Sequence, residues 1–517
     1  MTTLSKAQIQ ALLEARFCDD SFARLQDLPH PHSLKDAQKG AQIVAGIMQE
    51  GGKILIVGDY DVDGTLSAVI MMKFFGMLGY ENVSYLIPNR FSDGYGVQRH
   101  LLEQYPSDLV ITVDNGVAAL DVGEYCKEQK RKLIITDHHA LQHQIPQADA
   151  LINPQQETCS FPQKSICGAG VAWYFCNAIK IALGKNFSLL ELLKYVAIAT
   201  IADVMPLCQV NKLFVKKGLE LLKDSHSMQD SLLKSLLKGR DFSAQDVAFS
   251  ITPLLNSAGR MKDARVVCEF FLATKKDEIA AHFLALKKLN QMRKDQTQQM
   301  ESEMFAHFLE SENCVLAYKE SWNEGLLGIL AAKLSKEKQK PAFVFTQKEG
   351  CLKGSGRSDG KIDIFQTLLP HERNFLRFGG HSEAVGICIQ EDKIPWFMDL
   401  FSRECFVLSP KPNEVLGEIC LQDIDGELLE ILRRFEPYGQ GNPPPQFLIR
   451  GAKIKESKIF KELHQKLEFE HQISALSFFC KEFYKENEVI DMEFSVQEGL
   501  QNKHPTLLLK KISRCPL

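Results

Sequence analysis

The chain has 517 residues, which is too long for one ordinary domain, so two to four folding units are expected. Apolar residues make up 45% and charged residues 24% of it, the balance of a soluble globular protein. With a net charge of −4, the protein has no overall positive field that would attract nucleic acid, although a local basic groove could still bind it.

The start of the chain indicates neither export nor membrane insertion. MTTLSKAQIQALLEARF (1–17) has an amphipathic helical pattern without the continuous apolar core of a signal peptide. No apolar run is long enough to cross a bilayer, so no membrane partner is expected. The 14 cysteines include no C-x-x-C pair, and several lie in apolar segments as buried thiols do. We therefore expect a reduced, cytoplasmic protein.

Short apolar segments alternate with helical patterns between residues 41 and 152. Fully apolar strands separated by helices are typical of a parallel sheet covered on both faces, so a doubly wound α/β domain is predicted. Ligands of such sheets bind beyond the carboxyl ends of the strands. Residues 168–275 then appear as mainly helical patterns. The predicted strands are KILIV (53–57), VSYLI (83–87), DLVITVD (108–114) and KLIITD (132–137).

Three further units follow. Residues 276–310 contain no Gly or Pro and carry apolar positions at helical spacing, which predicts one long connecting helix. A second strand–helix–strand unit comes next, and short strand patterns behind the turn-rich PYGQGNPPPQ (437–446) predict a small β-barrel or sandwich. The expected units are a first domain with an N-terminal helical segment (1–275), the connecting helix (276–310), a smaller α/β domain (311–407) and a β-rich domain (408–517).

Acidic and imidazole side chains follow three of the predicted strands, and one more acid follows an apolar helical run. Strand ends of one parallel sheet lie side by side, so these groups should gather at one edge. The residues are Asp59, Asp61 and Asp63 after the first strand, Asp114 after the third, Asp137, His138 and His139 after the fourth, and Asp203 in TIADVMPL.

Clustered carboxylates repel one another, and protons or cations relieve the repulsion. Mixed carboxylate and imidazole ligands suit Mn²⁺, with Mg²⁺ also possible. Two such ions about 3.5–4 Å apart would activate water and stabilise a phosphoryl transition state. Each residue has an ordinary alternative, since Asp59 or Asp63 could be a turn residue or helix N-cap and Asp114 could belong to a turn. Turn acids have no reason to collect at one sheet edge, which favours a metal site.

Seven longer segments lie in this order within about residues 30 to 450: ILIVGDYDVDGTLSA, IPNRFSDGYGV, ICGAGVAW, LLNSAGR, GSGRS, FGGHSEAVG and PYGQGNPPPQF. With DYDVDG, VDNG, DHH and ADVMPL, they resemble the DHH phosphoesterase superfamily, and in particular its single-stranded-DNA-specific exonucleases. The resemblance implies a DHH domain, a DHH-associated domain and a C-terminal OB-like β-barrel.

The resemblance also implies roles by position. Asp114 would bridge two metal ions, Asp59 would be a supporting acid and possible ligand, and His139 would contact the scissile phosphate. Arg90, Asn256 and Arg260 would contact the backbone beside the metals, where an arginine fork suits phosphate oxygens. A salt bridge or helix C-cap is the alternative for Arg260. The implied metal ligands are Asp61, Asp63, Asp114, His138 and Asp203.

In the second domain, GSGRS and GGH are implied to hold the 5′-phosphate end. Small residues there would let backbone amides approach an anion, and the alternative is a Gly-rich turn. SWNEGLLGILA has Asn323 where the family usually has histidine, which leaves the role of that histidine open. The implied substrate-binding residues are Ser355, Arg357, Gly379, Gly380 and His381.

The C-terminal segment resembles an OB-fold that grips single strands by stacking and charge. Candidate contacts lie in GAKIKESKIFK, although a solvated charged face is an equal interpretation. The candidates are Lys453, Lys455, Lys458, Lys461 and Phe460.

These features favour a metal-dependent 5′→3′ exonuclease for single-stranded DNA in recombination and repair, acting as a monomer beside a helicase and a single-strand-binding protein. One alternative is a DHH phosphodiesterase for short oligonucleotides or cyclic dinucleotides. Such relatives usually lack the barrel. A manganese pyrophosphatase of the same superfamily is a further alternative and is less favoured, because it also lacks the barrel. Another is a non-catalytic nucleic-acid-binding scaffold, which would have lost the acidic residues that this chain retains.

Overall fold

The structure is a computed structural model that describes residues 3–16, 22–141, 143–348, 350–403, 406–407, 415–480, 482–499 and 504–514. Its first helix, α1 (Lys6–Ala15), is capped by Ser5, which accepts the N–H of Gln8. Ile9 and Leu13 of α1 are buried in the core of the C-terminal domain. The N-terminal helix therefore packs on the third domain, and not on the first domain to which the sequence analysis assigned it.

A five-stranded parallel sheet forms the centre of the first domain. Alternate residues of its first strand enter different cores, because successive side chains of a strand point to opposite faces. Ile54 and Ile56 join one core, and Leu55 and Val57 join the other. The strands are β1 (Ile54–Val57), β2 (Val83–Leu86), β3 (Leu109–Val113), β4 (Lys132–Thr136) and β5 (Ala150–Ile152). Their order β2-β1-β3-β4-β5 confirms the predicted doubly wound sheet.

Helices cover both faces of this sheet and continue into a helical region. A single π-helical turn, Val247–Ile251, leads directly into α11. The helices are α2 (Ala37–Gln49), α3 (Val62–Leu78), α4 (Arg99–Gln104), α5 (Leu120–Glu128), α6 (Gly168–Ala182), α7 (Leu193–Ala202), α8 (Gln209–Asp224), α9 (Met228–Ser235), α10 (Ala244–Asp246), α11 (Thr252–Met261) and α12 (Arg265–Leu272).

One long helix, α13 (Lys276–Ala306), leads from the first domain to the second, and the predicted connecting helix is confirmed. The second domain packs helices on a mixed six-stranded sheet of order β10-β11-β9-β8-β7-β6. Its strands are β6 (Leu309–Glu310), β7 (Val315–Tyr318), β8 (Ala342–Lys348), β9 (Cys351–Arg357), β10 (Arg377–His381) and β11 (Ala384–Ile389). Its helices are α14 (Leu327–Lys338), α15 (Ile364–Leu368) and α16 (Ile394–Arg403).

The third domain is a seven-stranded sheet of order β12-β13-β17-β18-β16-β15-β14 with one helix, α17 (Gly426–Arg434). Within the described residues its end strands β12 and β14 do not pair, so the predicted barrel is not closed by hydrogen bonds. The predicted boundary at residue 408 lies outside the described residues. The strands are β12 (Val415–Glu418), β13 (Gln446–Lys453), β14 (Glu456–Phe460), β15 (His464–Glu468), β16 (Ser474–Ser477), β17 (Val489–Glu498) and β18 (Pro505–Arg514).

The loop before β13 touches the first domain. Leu207 donates its N–H to the carbonyl of Gln440 at 2.7 Å. A Cβ on Gly439 would lie 2.7 Å from a terminal methyl carbon of Leu207, so that side chain would have to move to accept a larger residue. This contact is four residues beyond Asp203, and it places the third domain next to the acidic edge of the first.

Two further expectations concern the chain as a whole. Across the described part of the chain, no helix combines the length and the apolar character needed to cross a bilayer. Cys351 of β9 and Cys388 of β11 form a disulfide. Two neighbouring strands bring these residues together although they are 37 positions apart in the sequence.

Candidate active site

Five acidic residues and a histidine converge at the carboxyl edge of the parallel sheet. His138 Nε2 lies 3.1 Å from Asp114 Oδ1, 3.5 Å from Asp203 Oδ2 and 3.8 Å from Asp63 Oδ2. Asp59, Asp61 and Asp114 form an overlapping group whose ligand atoms lie within 4.8 Å of one another. The structure thus brings together all the metal ligands predicted from the sequence.

The acidic loop after β1 is held by the backbone around it. Asp61 is the N-cap of α3 and accepts the N–H of Gly64 at 3.0 Å. The carboxylate of Asp63 accepts the N–H groups of Gly168 and Ala169 at 2.6 and 2.8 Å, at the N-terminus of α6. A helix N-terminus stabilises an anion through its free N–H groups and its dipole. The N-cap role that the sequence analysis considered for Asp59 or Asp63 belongs to Asp61.

Asp114 has φ 63°, in the left-handed region that non-glycine residues rarely adopt. Such a conformation costs of order 1–3 kcal/mol and persists where the surroundings hold it. Asn115 provides that support, since its side chain donates to the carbonyls of Val57 and Val113 and accepts the N–H of Val97. A Cβ on Gly168 would lie 2.5 Å from that of Asp114, so a glycine is needed opposite this residue.

Asp137 is the residue whose role the sequence analysis did not assign. Its Oδ1 accepts the backbone N–H of His138 at 2.7 Å and lies 2.7 Å from His139 Nδ1, and its Oδ2 accepts the N–H of Val117. These bonds hold the backbone at His138 and orient the ring of His139, which keeps 46% of its side chain exposed. Asp137 is the aspartate of the DHH motif, and this motif was the signal in the sequence that could have identified it.

Burial and mutual repulsion perturb the pKa values of the acidic groups. Burial, then the charge of Asp61, raises the pKa of Asp59 to about 8 and that of Asp63 to about 7. For the same reasons, burial first and neighbouring acids second, the pKa values of Asp114 and Asp203 lie well above their ordinary range. The bare cluster therefore favours binding protons or cations at neutral pH.

The two histidines differ in charge. Burial, then the neighbouring His139, lowers the pKa of His138 to about 3, which leaves a neutral imidazole that can ligate a metal. Burial, the largest single cause, would lower the pKa of His139, but the hydrogen bond to Asp137 and the negative charges of Asp137, Asp203 and Asp61 together outweigh it and raise the pKa to about 9. At neutral pH His139 is therefore a cation that can donate from its exposed nitrogen.

Buried carboxylate oxygens without hydrogen-bond partners test whether metal ions fit this site. Asp59 Oδ1, Asp114 Oδ1 and Asp203 Oδ2 are buried and receive no hydrogen bond. Buried polar atoms are normally satisfied, so oxygens that share one small volume have the character of metal ligands. The carboxylate and imidazole set fits Mn²⁺ or Mg²⁺.

A group of arginines faces the acidic cluster. The Arg90 guanidinium stacks 4.2 Å above the Tyr60 ring, and its buried Nε has no hydrogen-bond partner. Burial, then the nearby Arg90 and Arg357, lowers the pKa of Arg260 to about 10, and Arg293 of α13 adds to this effect. Arg293 was not predicted, because nothing in the sequence of a long helix indicates which face meets the cleft. Asn256 accepts the N–H of Val62 at 3.2 Å and so supports the acidic loop.

The GSGRS segment is neither a turn nor an anion-binding loop. Residues 351–357 form β9, which pairs on both sides with β8 and β11, so the backbone amides are used within the sheet. The expectation that amides near Ser355 approach an anion is therefore wrong. Glycines occur here because a Cβ on Gly354 or Gly356 would lie 2.3 or 2.4 Å from a phenylalanine ring of β8.

Side chains remain available on this face of the second domain. Arg357 Nη1 donates to Ser355 Oγ at 2.9 Å, and burial lowers the pKa of its guanidinium. Burial, then Arg357, lowers the pKa of His381, so these two residues are neighbours. Gly379 and Gly380 lie beside them on the edge strand β10. Their contact with a substrate phosphate stays a prediction.

The C-terminal candidates lie between the end of β13 and the turn that follows β14. Phe460 packs against His464 and Phe478 at centroid distances of 5.3 and 6.4 Å, and Phe479 is 74% exposed. Exposed aromatic rings next to lysines are typical of a surface for single-stranded nucleic acid. The exposed lysines here are Lys453, Lys455, Lys458 and Lys461.

Comparison with known proteins agrees with this arrangement. The chain matches the models of the DHH family N-terminal domain over residues 53–200, the DHHA1 domain over 311–405 and the RecJ OB domain over 417–510. Fold and site together define a DHH-family protein with a DHH-associated domain and an OB domain.

The chain is 32% identical over 458 residues to the single-stranded-DNA-specific exonuclease RecJ of Haemophilus influenzae, covering 82% of this chain and 79% of that one. It belongs to the RecJ family. The Escherichia coli relative of the same name is 33% identical over 451 residues, covering 80% and 78% of the two chains. The crystal structure of RecJ from Thermus thermophilus in complex with Mn²⁺ superposes with a TM-score of 0.84 at 25% identity, covering all of this chain and 79% of that one.

Proposed function

We propose that this chain is a metal-dependent exonuclease that hydrolyses single-stranded DNA from the 5′ end, in recombination and repair. The observation that carries the proposal is the group of unpartnered carboxylate oxygens around His138, which faces arginines from both domains. The relatives named above are single-stranded-DNA-specific exonucleases, and two RecJ crystal structures similar to this chain hold Mn²⁺ or Mg²⁺.

Asp61, Asp63, Asp114, His138 and Asp203 would hold the ions, with Asp59 in support. Bound there, Mn²⁺ or Mg²⁺ would activate water and neutralise charge on the reacting phosphate. The chain's own groups position the strand. His139, kept cationic by Asp137, donates to a phosphate oxygen from its exposed nitrogen. Arg90 and Arg260 offset the charge that develops on that phosphate.

We propose that the second domain binds the 5′ end. Arg357, Ser355 and His381 would contact the terminal phosphate, next to Gly379 and Gly380 on the edge strand. An arginine fork matches two phosphate oxygens, and the neighbouring hydroxyl can donate to a third. A terminal anion held here would set the direction of digestion, because only a 5′ phosphate would place the next phosphodiester at the acidic cluster.

The main alternative is a phosphodiesterase that acts on short oligonucleotides or cyclic dinucleotides. The RecJ OB domain over residues 417–510 favours the long-strand nuclease, since a substrate of two nucleotides needs no extra strand-binding domain. A non-catalytic scaffold is disfavoured because the acidic residues are all present and clustered.

We also propose cytoplasmic location, a monomeric state, and work beside a helicase and a single-strand-binding protein. Three domains of one chain surround the candidate site, so the chemistry requires no second copy. A nuclease restricted to single strands needs a source of unwound DNA, which a helicase would supply.

A single-stranded oligonucleotide labelled at its 3′ end tests the proposal. With Mn²⁺ we expect a ladder that shortens from the 5′ end, absent with chelator and absent for a blunt duplex. Survival of the long strand together with consumption of dinucleotides would favour the short-substrate phosphodiesterase. Binding without cleavage under any metal would favour the scaffold.

A further inference from the structure

One short turn of the second domain, residues 322–326, contacts the first domain beside Arg260 and close to the loop that carries Arg90. Arg260 Nη1 donates to the carbonyl of Gly325 at 3.1 Å. A Cβ on Gly325 would lie 2.2 Å from the carbonyl oxygen of Arg260, so the approach of the two backbones requires glycine. The position of Arg260 is therefore linked to the second domain.

The loop that carries Arg90 is held by a lysine of the second domain. Lys348 Nζ donates to the carbonyl of Phe91 at 3.0 Å and to Glu324 Oε1 at 2.6 Å. Lys353 Nζ lies 2.5 Å from the other oxygen of Glu324. Only 6% of the Glu324 side chain is exposed, so solvent screens this group of charges weakly.

The same turn reaches the connecting helix. Asn323 Oδ1 accepts the N–H of Gly325 at 2.8 Å, and its amide donates to Gln296 Oε1 of α13 at 3.2 Å. Asn323 is thus the cap of the turn that presents Gly325 to Arg260. The turn connects the Arg90 loop, the end of α11 and the connecting helix.

We propose that Glu324 and Lys348 are positioning residues that couple the docking of the second domain to the phosphate contacts of Arg90 and Arg260. Arg90 depends on such support, because its buried Nε has no partner and its loop is fixed from outside by Lys348. The inference rests on the proposed function, in which a strand's phosphates are what the two arginines bind. Neither Glu324 nor Lys348 needs to touch the substrate.

Steady-state cleavage of the 3′-labelled strand gives the first test. We expect Glu324→Gln and Lys348→Met to lower kcat/KM by about 10- to 100-fold, the effect of misplacing binding groups by about 1 Å. Lys348→Arg keeps the charge and the donors and should restore the rate to within about threefold. The matched control is Lys340→Gln, which removes an exposed ion pair with Glu310 in the same domain and should leave the rate unchanged.

A double-mutant cycle tests whether Lys348 acts through Arg90. If it does, Lys348→Met should cost less than about twofold once Arg90→Ala is present, because coupled residues are not additive. If the fold losses of the two single variants multiply in the double variant, Lys348 acts independently of Arg90 and the proposal is overturned.

Hydrogen exchange gives a readout that needs no activity. Amides of residues 89–93 are bonded within the Arg90 loop, for example Asn89 N–H to Asp93 and Phe91 N–H to Asn89. We expect these amides to exchange at least threefold faster in Glu324→Gln and Lys348→Met and at an unchanged rate in Lys340→Gln. The comparison is made between variants of equal melting temperature. Unchanged exchange overturns the coupling whatever the activity. Faster exchange in a protein that cleaves no strand supports the coupling and rejects the proposed function.

Discussion

Two segments, GDYDVDG (58–64) in the first domain and GSGRS (354–358) in the second, each contain two glycines but differ in structure. The first is the loop after β1, where a Cβ on Gly64 would lie 2.4 Å from the backbone nitrogen of Asp59. The second is a central strand whose glycines make room for phenylalanine rings. One set of glycines allows acidic residues to crowd together, and the other allows a core to pack.

The comparison shows that glycine in a motif does not by itself indicate a ligand loop. In the first segment Asp61 is held by the N–H of Gly64 three residues away, and Asp63 is held by the N–H groups of Gly168 and Ala169 at the N-terminus of α6. In the second segment Arg357 and Ser355 project from a sheet whose order is set by distant strands. The side chains of the acidic cluster thus come from the first domain, and the second domain contributes side chains that its packing places near them.

The largest effect is expected from Asp114→Ala. Loss of the carboxylate shared by both metal groups should remove several kcal/mol of transition-state stabilisation, a loss of about 10³-fold in kcat. Strand binding with chelator present should change little. Asp121→Ala, an exposed acid of α5, is the control. Equal loss of folding and activity, seen by circular dichroism, would instead mean a structural role.

A smaller loss is expected from Asp137→Asn, which keeps the shape of the side chain but removes the charge that orients the His139 ring and holds the backbone of His138. Groups that orient ligands contribute about 10- to 100-fold to activity or metal affinity. Titration of Mn²⁺ against cleavage rate would separate a weaker metal affinity from a lower maximal rate. A rate within twofold of the wild type at all metal concentrations would contradict the assignment of Asp137.

The glycines of the second segment should affect stability more than chemistry. In Gly356→Ala the new methyl group would lie 2.4 Å from the Phe343 ring, and overpacking of this kind costs about 1–3 kcal/mol. Urea unfolding would measure it. Gly386→Ala on the neighbouring strand has no atom within 4 Å of the new Cβ and is the matched control. Equal stability of the two variants would remove the packing explanation.

The smallest effect is expected in the pH dependence of the melting temperature, measured with chelator present. Asp59 and Asp63 have folded-state pKa values of about 8 and about 7, above the ordinary 3.8, so the folded protein retains protons that the unfolded chain releases. Their contribution to stability is present below 3.8 and is lost as the pH rises through about 7 and 8. The melting temperature should therefore fall over that window, and Mn²⁺ should abolish the fall. A flat profile in chelator would contradict the raised pKa values.

The first domain could be predicted well because its signals are local. Each predicted strand of the parallel sheet is present within two residues of its expected ends, and the acidic and histidine residues follow these strands directly. The strand ends of a parallel sheet meet at one edge, so chain order alone predicted that Asp61, Asp63, Asp114 and His138 gather there. Asp137 was missed because its role depends on which side-chain atoms face one another.

Contacts between distant segments could not be predicted in the same way. The amphipathic pattern of α1 indicates an apolar face but does not identify the surface that covers it, and Ile9 turns out to pack near Leu428. Arg293 is one of several charged residues on a 31-residue helix, and only the packing of that helix directs it to the cleft.

The sequence by itself determined the parallel sheet, the long connecting helix and the crowding of carboxylates at one sheet edge, because hydrophobic periodicity and strand direction are properties of short segments. The tertiary structure alone decided that GSGRS is a central strand, that α1 belongs to the third domain and that the turn at Gly325 meets Arg260. Those outcomes depend on which surfaces bury one another, and burial is a property of the whole folded chain.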